Sequence, residues 1–175
     1  RFFRNYPLED VAGHVVGYIG RINQREQEAL EDSEDYANYR GTEVIGKLGI
    51  EQSYEKQLHG LTGWEQLETT AGGFAVRRLN SRPATSGDNV VLSLDIGLQK
   101  LVEDVFGERR GALVAIDPST GEVLAMVSKP GYDVNLFVDG IDQENWDLLN
   151  NSIDRPLLNR ALRGTYPPGS TYKPF

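Results

Sequence analysis

The run Val15 to Ile22, Val-Val-Gly-Tyr-Ile-Gly-Arg-Ile, is apolar enough for a strand, with Gly17 and Gly20 marking a bulge or a close backbone approach. The stretch that follows, Asn23 to Tyr36, is rich in Glu, Gln and Asp with few apolar positions, and predicts a helix with a solvated face. Ile50, Tyr54 and Leu58 then recur every four residues, which predicts a helix over 52–58 with one packed face, stopped by Gly60. Alternating stretches over Thr62–Arg78 around Gly72-Gly73 predict a hairpin. Asn80–Asn89, rich in Ser, Pro, Gly and Asn, reads as a loop and as the seam between two domains.

Beyond the seam, Val90 to Leu94 reads as a short strand, and Asp95 caps a helix with Leu98, Leu101, Val102 and Val105 on its packed face and Gly107 at its end. Gly111–Ile116 and Glu122–Val127 flank the turn Asp117-Pro-Ser-Thr-Gly121, a hairpin pattern. Both arms are apolar nearly throughout, which predicts a strand pair buried on two faces in a helix-covered sheet. Helices and strands thus mix in an α+β arrangement, with one unit over residues 1–85 and a second over 86–175.

Composition narrows what such a chain does. At 175 residues, 39% hydrophobic and 25% charged, it is long enough to bury a core and carries no solenoid-type repeat. A formal charge of -8 repels a phosphate backbone, so nucleic acid is excluded as a partner. The longest apolar runs fall far short of the roughly 20 residues a membrane helix needs. No cysteine is present, so neither disulfides nor thiolate metal sites arise. No cofactor or metal site is expected, because two scattered histidines, His14 and His59, do not make a zinc site. Gly46-Lys-Leu-Gly49 lacks the Lys-Ser/Thr ending of a phosphate loop and reads as a helix entry. Trp64 and Trp146 read as packing anchors.

Candidate chemistry lies at Tyr166-Pro-Pro-Gly-Ser-Thr-Tyr-Lys-Pro-Phe175. A serine hydroxyl is a weak nucleophile that needs a base, and a lysine can serve when its surroundings free its lone pair. On a helical turn Ser170 and Lys173 share a face, and a helix N-terminus offers N–H groups to a developing oxyanion. Spacing alone is weak evidence: a chain of this length yields on the order of one Ser-x-x-Lys by chance. Ser53-Tyr-Glu-Lys56 is such a second instance, inside the 52–58 helix, and reads as surface decoration. Pro167-Pro-Gly169 gives Ser170 the better context, whereas Pro174 biases Lys173 away from helical geometry and requires an irregular turn.

Several separate stretches together resemble the class B penicillin-binding proteins, most closely their elongation-specific members. They are Gly46-Lys-Leu-Gly-Ile-Glu51 in a non-catalytic pedestal, Gly87 to Asp95 at the domain junction, Ala115 to Met126 as the first hairpin, Asp133 to Gly140, and the Tyr166–Pro174 nucleophile motif. The resemblance implies a pedestal over 1–85 and the opening part of a β-lactamase-like transpeptidase domain over 86–175. It makes Ser170 the nucleophile and Lys173 the general base.

It further implies a peptidoglycan D,D-transpeptidase that cross-links stem peptides ending in D-Ala-D-Ala, is acylated by β-lactams, and serves cell elongation and shape. The expected setting is the periplasmic side of the bacterial inner membrane, held by one N-terminal helix upstream of Arg1, with a RodA-like SEDS polymerase and MreC as partners. The family's Ser-x-Asn and Lys-Thr-Gly motifs are expected beyond Phe175, so this stretch alone is expected to be inactive. Two other readings stand beside this one: a pedestal that serves as a protein-binding module, and a serine β-lactamase or β-lactam sensor sharing the Ser-x-x-Lys start.

Overall fold

A computed structural model describes residues 4–174. Residues 15–22 are not one strand. A helical turn, α1 (Gly13–Val16), is closed by Gly17 at φ 74, and only Ile19–Arg21 forms strand β1. Gly17 stands where any Cβ would lie 1.9 Å from the Leu48 carbonyl oxygen, so side-chain-free backbone is required at this crossing. The acidic stretch forms α2 (Gln24–Glu31), opened by a capping box between Asn23 and Glu26, and a separate turn α3 (Tyr36–Tyr39). Strand β2 (Val44–Gly46) pairs antiparallel with β1, Gly20 opposite Ile45.

The helix expected over 52–58 is two short ones, α4 (Gly49–Ser53) and α5 (Glu55–His59), broken at Tyr54. Tyr54 is exposed, so the four-residue recurrence does not mark a packed face; Glu51 is the buried residue of α4. Gly60 ends α5 at φ 73 as expected. Strands β3 (Trp64–Thr69) and β4 (Ala75–Arg82) make the expected hairpin, with β4 running into residues read as loop. Every residue of both strands is exposed, and Trp64, at 49% exposure, is no packing anchor.

Residues 90–94 form no strand, and Asp95 N donates to Leu124 O. Helix α6 (Ile96–Phe106) begins where Asp95 accepts from Gly97 N and Leu98 N, and ends at Gly107 with φ 52. The expected apolar face is packed only in part: Leu98 and Val102 are half-buried and Leu101 and Val105 are 59% and 63% exposed, while Gln99 and Glu103 are buried against strand β6 (Val123–Lys129). Strand β5 (Gly111–Ile116) pairs antiparallel with β6, Val114 opposite Met126. β6, packed by both α6 and Arg160–Arg163, is largely buried, whereas β5, packed by Arg160–Arg163, is half open, so the burial expected of both arms holds for β6.

A 3-10 turn at Val134–Phe137, helix α7 (Gln143–Asn150) and the turn α8 (Arg160–Arg163) complete the path to a final 3-10 turn at Gly169–Tyr172. Trp146 on α7 is 37% exposed, again against an anchoring role. The core gathers Tyr6, Tyr132, Val134, Phe137 and Val138, with Val16, Tyr18 and Leu157 packed on it. Tyr18 stacks on Phe137 at 4.2 Å. The beginning of the chain therefore shares one apolar cluster with residues 132–157, across the expected seam.

Candidate active site

Helix α8 sets the approach to Ser170. Asn159 caps it by accepting from Leu162 N at 3.2 Å, and Arg160 is buried with its guanidinium turned back on the preceding loop. There Arg160 Nη1 donates to Arg155 O at 3.0 Å and Nη2 to Asp154 O, holding a loop in which Arg155 has φ 44. Ser128 of β6 fixes the same helix from beneath: its Oγ accepts from Arg160 N at 2.9 Å and donates to Leu158 O at 3.1 Å.

Pro168, in the αR region, and Gly169, at φ 55, then open the terminal 3-10 turn. Thr171 N and its hydroxyl both donate to Pro168 O, the amide at 3.3 Å. Lys173 N donates to Ser170 O at 3.3 Å. This i to i+3 bond answers the difficulty posed by Pro174: Ser170 O needs no N–H from position 174, which has none. Lys173 nevertheless keeps helical backbone angles, φ -61 and ψ -31, against the bias expected before a proline. In a 3-10 turn, positions three apart eclipse, so Ser170 and Lys173 lie on one side of it. Both are exposed, and among the described residues no hydrogen bond joins their side chains. The turn carries nucleophile and base on one short frame; the contact that would activate the hydroxyl is not made.

A buried polar network that periodicity did not announce joins α6, β6 and residues 10–12. Gln99 donates from Nε2 to Met126 O at 3.0 Å and accepts from Met126 N at 2.9 Å, acting as one more strand along β6. Its Nε2 also donates to Glu103 Oε1 at 2.8 Å, which in turn accepts from Ala12 N at 3.0 Å. Lys129 ion-pairs with Glu103 at 3.4 Å and Asp10 at 3.6 Å. A second anchor is Glu51, held by Arg4 Nε and Nη2 at 3.0 Å each and by the Tyr6 hydroxyl at 3.0 Å. Burial, then the Glu51 charge, push the Tyr6 phenol well above its ordinary value, which keeps it a donor. Gln99 and Glu103 went unread because polar residues four apart on an amphipathic helix look like its wet face.

His14 lies edge-on to Tyr132 at 5.1 Å, and its Nε2 is buried without a partner among the described residues. Burial lowers its pKa, a hydrogen bond to the Pro156 backbone opposes this, and the nearby Arg160 charge lowers it further. His59 stacks on Tyr39 at 4.3 Å and meets Thr42 Oγ1 at 3.0 Å, a packing role. Ser53 and Lys56 are exposed on either side of the break at Tyr54, with Lys56 paired to Asp35 at 2.5 Å, as decoration. Among the described residues no group of three His, Cys, Asp or Glu could hold a metal, and no helix is long and apolar enough to cross a membrane.

The fold is thus a helix-backed hairpin leading through the α8 turn to Ser-x-x-Lys, preceded by a mixed unit of short helices and strands. The comparisons agree: residues 1–92 match the penicillin-binding protein dimerisation domain and residues 111–175 the penicillin-binding protein transpeptidase domain. The chain belongs to the penicillin-binding protein family.

Within it, similarity runs to penicillin-binding protein 2. The chain is 48% identical to the peptidoglycan D,D-transpeptidase MrdA of Acinetobacter baumannii, over 98% of this chain and 25% of that protein. It is 46% identical to MrdA of Escherichia coli K12, over 98% of this chain and 27% of that protein. The crystal structure of Pseudomonas aeruginosa PBP2 in complex with WCK 5153 superposes with a TM-score of 0.81 at 49% identity, over 99% of this chain and 34% of that one. The complex between PBP2 and MreC from Helicobacter pylori gives 0.77 at 35% identity, over 90% of this chain and 28% of that one. The chain thus spans about a quarter of the length of the curated relatives it matches.

Proposed function

We propose that this chain is the junction between pedestal and transpeptidase domain in a peptidoglycan D,D-transpeptidase of cell elongation, with Ser170 as nucleophile and Lys173 as general base. The observation that carries the reading is the Pro-Pro-Gly-led 3-10 turn that puts Ser170 and Lys173 on one side, inside a stretch matching the transpeptidase domain. Lys173 takes the hydroxyl proton as Ser170 Oγ attacks the carbonyl of the penultimate D-Ala, and the proton passes to the amine of the departing terminal D-Ala. An amine of a neighbouring stem peptide then attacks the ester carbon. It gives up a proton, frees Ser170, and leaves an amide cross-link. The Ser170 N–H at the head of the turn can serve one side of the oxyanion.

A β-lactam acylates the same oxygen by opening its ring. The intact protein works on the periplasmic side of the inner membrane, held by a single N-terminal span, beside a RodA-like SEDS polymerase and MreC. The Helicobacter pylori relative's complex with MreC supports the last of these partners. The 175 residues contain neither Ser-x-Asn nor Lys-Thr-Gly, so the isolated chain is inactive.

Intact mass with peptide mapping after penicillin treatment tests this. The intact protein should carry one adduct on Ser170, absent from Ser170→Ala, and the 175-residue chain should carry none. An unmodified Ser170 in the intact protein would sink the proposal.

A further inference from the structure

We infer that Glu103 is a positioning residue for Ser170, the latch through which the segment at residues 10–12 sets where the nucleophile turn sits; the inference rests on the reading of Ser170 given above. Glu103 is buried on α6, in the stretch between the two family matches, and its Oε1 accepts from Ala12 N at 3.0 Å. The same oxygen accepts from Gln99 Nε2 at 2.8 Å, and Gln99 grips both backbone groups of Met126.

From Met126 the path continues along β6. Ser128, two residues along β6, ties the strand to Arg160 N at 2.9 Å and so to the start of α8. Helix α8 packs on both strands of the hairpin, and its last residue, Arg163, stands seven positions before Ser170. From Ala12 to Arg160 N each hydrogen bond is 3.0 Å or less, with Gln99 wholly buried, and from Arg163 to Ser170 the path is the covalent chain. Lys129 closes the latch from the outside by pairing with both Glu103 and Asp10.

The strain on this link falls at one backbone position. Ala12 holds φ 57, a conformation an L-residue rarely keeps without support, and the Glu103 carboxylate is what meets its N–H. A displacement of residues 10–12 therefore loads Glu103 first. Without the acceptor, residues 10–12 lose their buried hydrogen bond to α6, and the Ser170 turn drifts relative to whatever binds in front of it. A nucleophile misplaced by about 1 Å loses on the order of 100-fold in rate.

The test uses the intact protein and a fluorescent penicillin, separating the saturation constant from the limiting acylation rate. Glu103→Met, similar in size but without an acceptor, should lower the limiting rate at least roughly tenfold with the saturation constant within about threefold. Glu103→Gln, which keeps the acceptor, should acylate within about threefold of the unsubstituted protein and keep the Ala12 amide protected from hydrogen exchange.

A folded Glu103→Met protein with an unchanged rate overturns the inference and leaves the Ser170 reading intact. Should the Met variant not fold, Glu103→Gln decides: lost Ala12 protection beside an unchanged rate overturns it equally. No adduct on Ser170 in the unsubstituted protein would instead remove the reading itself.

Discussion

Gln99 pairs with Met126 as though its side chain were a strand: Nε2 donates to the Met126 carbonyl at 3.0 Å and Oε1 accepts from the Met126 amide at 2.9 Å. β6 thereby has β5 on one edge and a single amide side chain on the other. Asn135 treats Tyr6 in the same way, with Nδ2 to Tyr6 O and Tyr6 N to Oδ1 at 2.9 Å each. Asn38 repeats it between Gly60 O and Thr62 N, both at 2.8 Å. Three amide side chains thus pair with the backbone of distant segments, one of them at a sheet only two strands wide.

Replacing Gln99 with leucine keeps the volume and leaves both Met126 groups buried and unpaired. The expected cost is about 3 kcal/mol, since each unsatisfied buried group forfeits its desolvation energy. Urea unfolding of the two proteins, read by circular dichroism, measures it. A loss below about 0.5 kcal/mol would mean the Met126 groups find other partners.

Gly49 carries φ 61, and a Cβ there would stand 2.3 Å from the Val15 carbonyl oxygen. Gly49→Ala therefore meets a steric and a conformational penalty together, and the expected destabilisation is about 3 kcal/mol. Gly121→Ala also has positive φ but open space around its Cβ, so it should cost less. Equal losses for the two would remove the close α1 to α4 crossing as the cause.

Stability should fall as pH drops below the ordinary histidine value of 6.5, because His14 is held neutral in the fold. Burial is the first cause, and the Arg160 charge adds to it against the opposing Pro156 hydrogen bond and Glu103. The unfolded chain takes up a proton at His14 before the folded chain does, so the slope of unfolding free energy against pH is positive there. Tyr132 acts at the other end. Burial pushes its phenol from 10.0 up to about 12, so the unfolded chain loses that proton first and stability falls as pH rises above 10.0. His14→Phe, which keeps the ring on Tyr132, should flatten the acid limb and leave the alkaline one; an unchanged acid limb would assign the effect to carboxylates.

The sequence carried the elements that local chemistry specifies. Asp95 and Gly107 bound α6, the turn at Asp117–Gly121 sets the β5–β6 hairpin, and Gly60 stops a helix. What it concealed depends on contacts far along the chain. Leu101 and Val105 of the α6 stripe face outward, and the polar pair Gln99 and Glu103 faces inward, because their partners Met126 and Ala12 lie 27 and 91 residues away. Residues 15–22 look like a strand, but Gly17 turns the chain at the crossing with Leu48. At the candidate site, Ser170 and Lys173 were legible from spacing and from the proline-glycine turn. Arg160, Ser128 and Asn159, which hold that turn's approach, were not, since nothing local distinguishes them from surface polar residues.

The role proposed for Lys173 can be separated from mere support of the turn. Its backbone N–H holds Ser170 O at 3.3 Å and survives any substitution, so only the amine is removed in Lys173→Met. As the general base, the amine should be worth roughly 10³-fold in the acylation of the intact protein by penicillin. The saturation constant should hardly change, because the amine acts on the proton of Ser170 and not on binding. A rate loss that recovers steeply as pH rises in the Met variant would show hydroxide replacing the missing base. If Lys173→Met acylated at the parental rate, the proton of Ser170 would have to leave by another group, and the pairing of these two residues across one 3-10 turn would be structural alone.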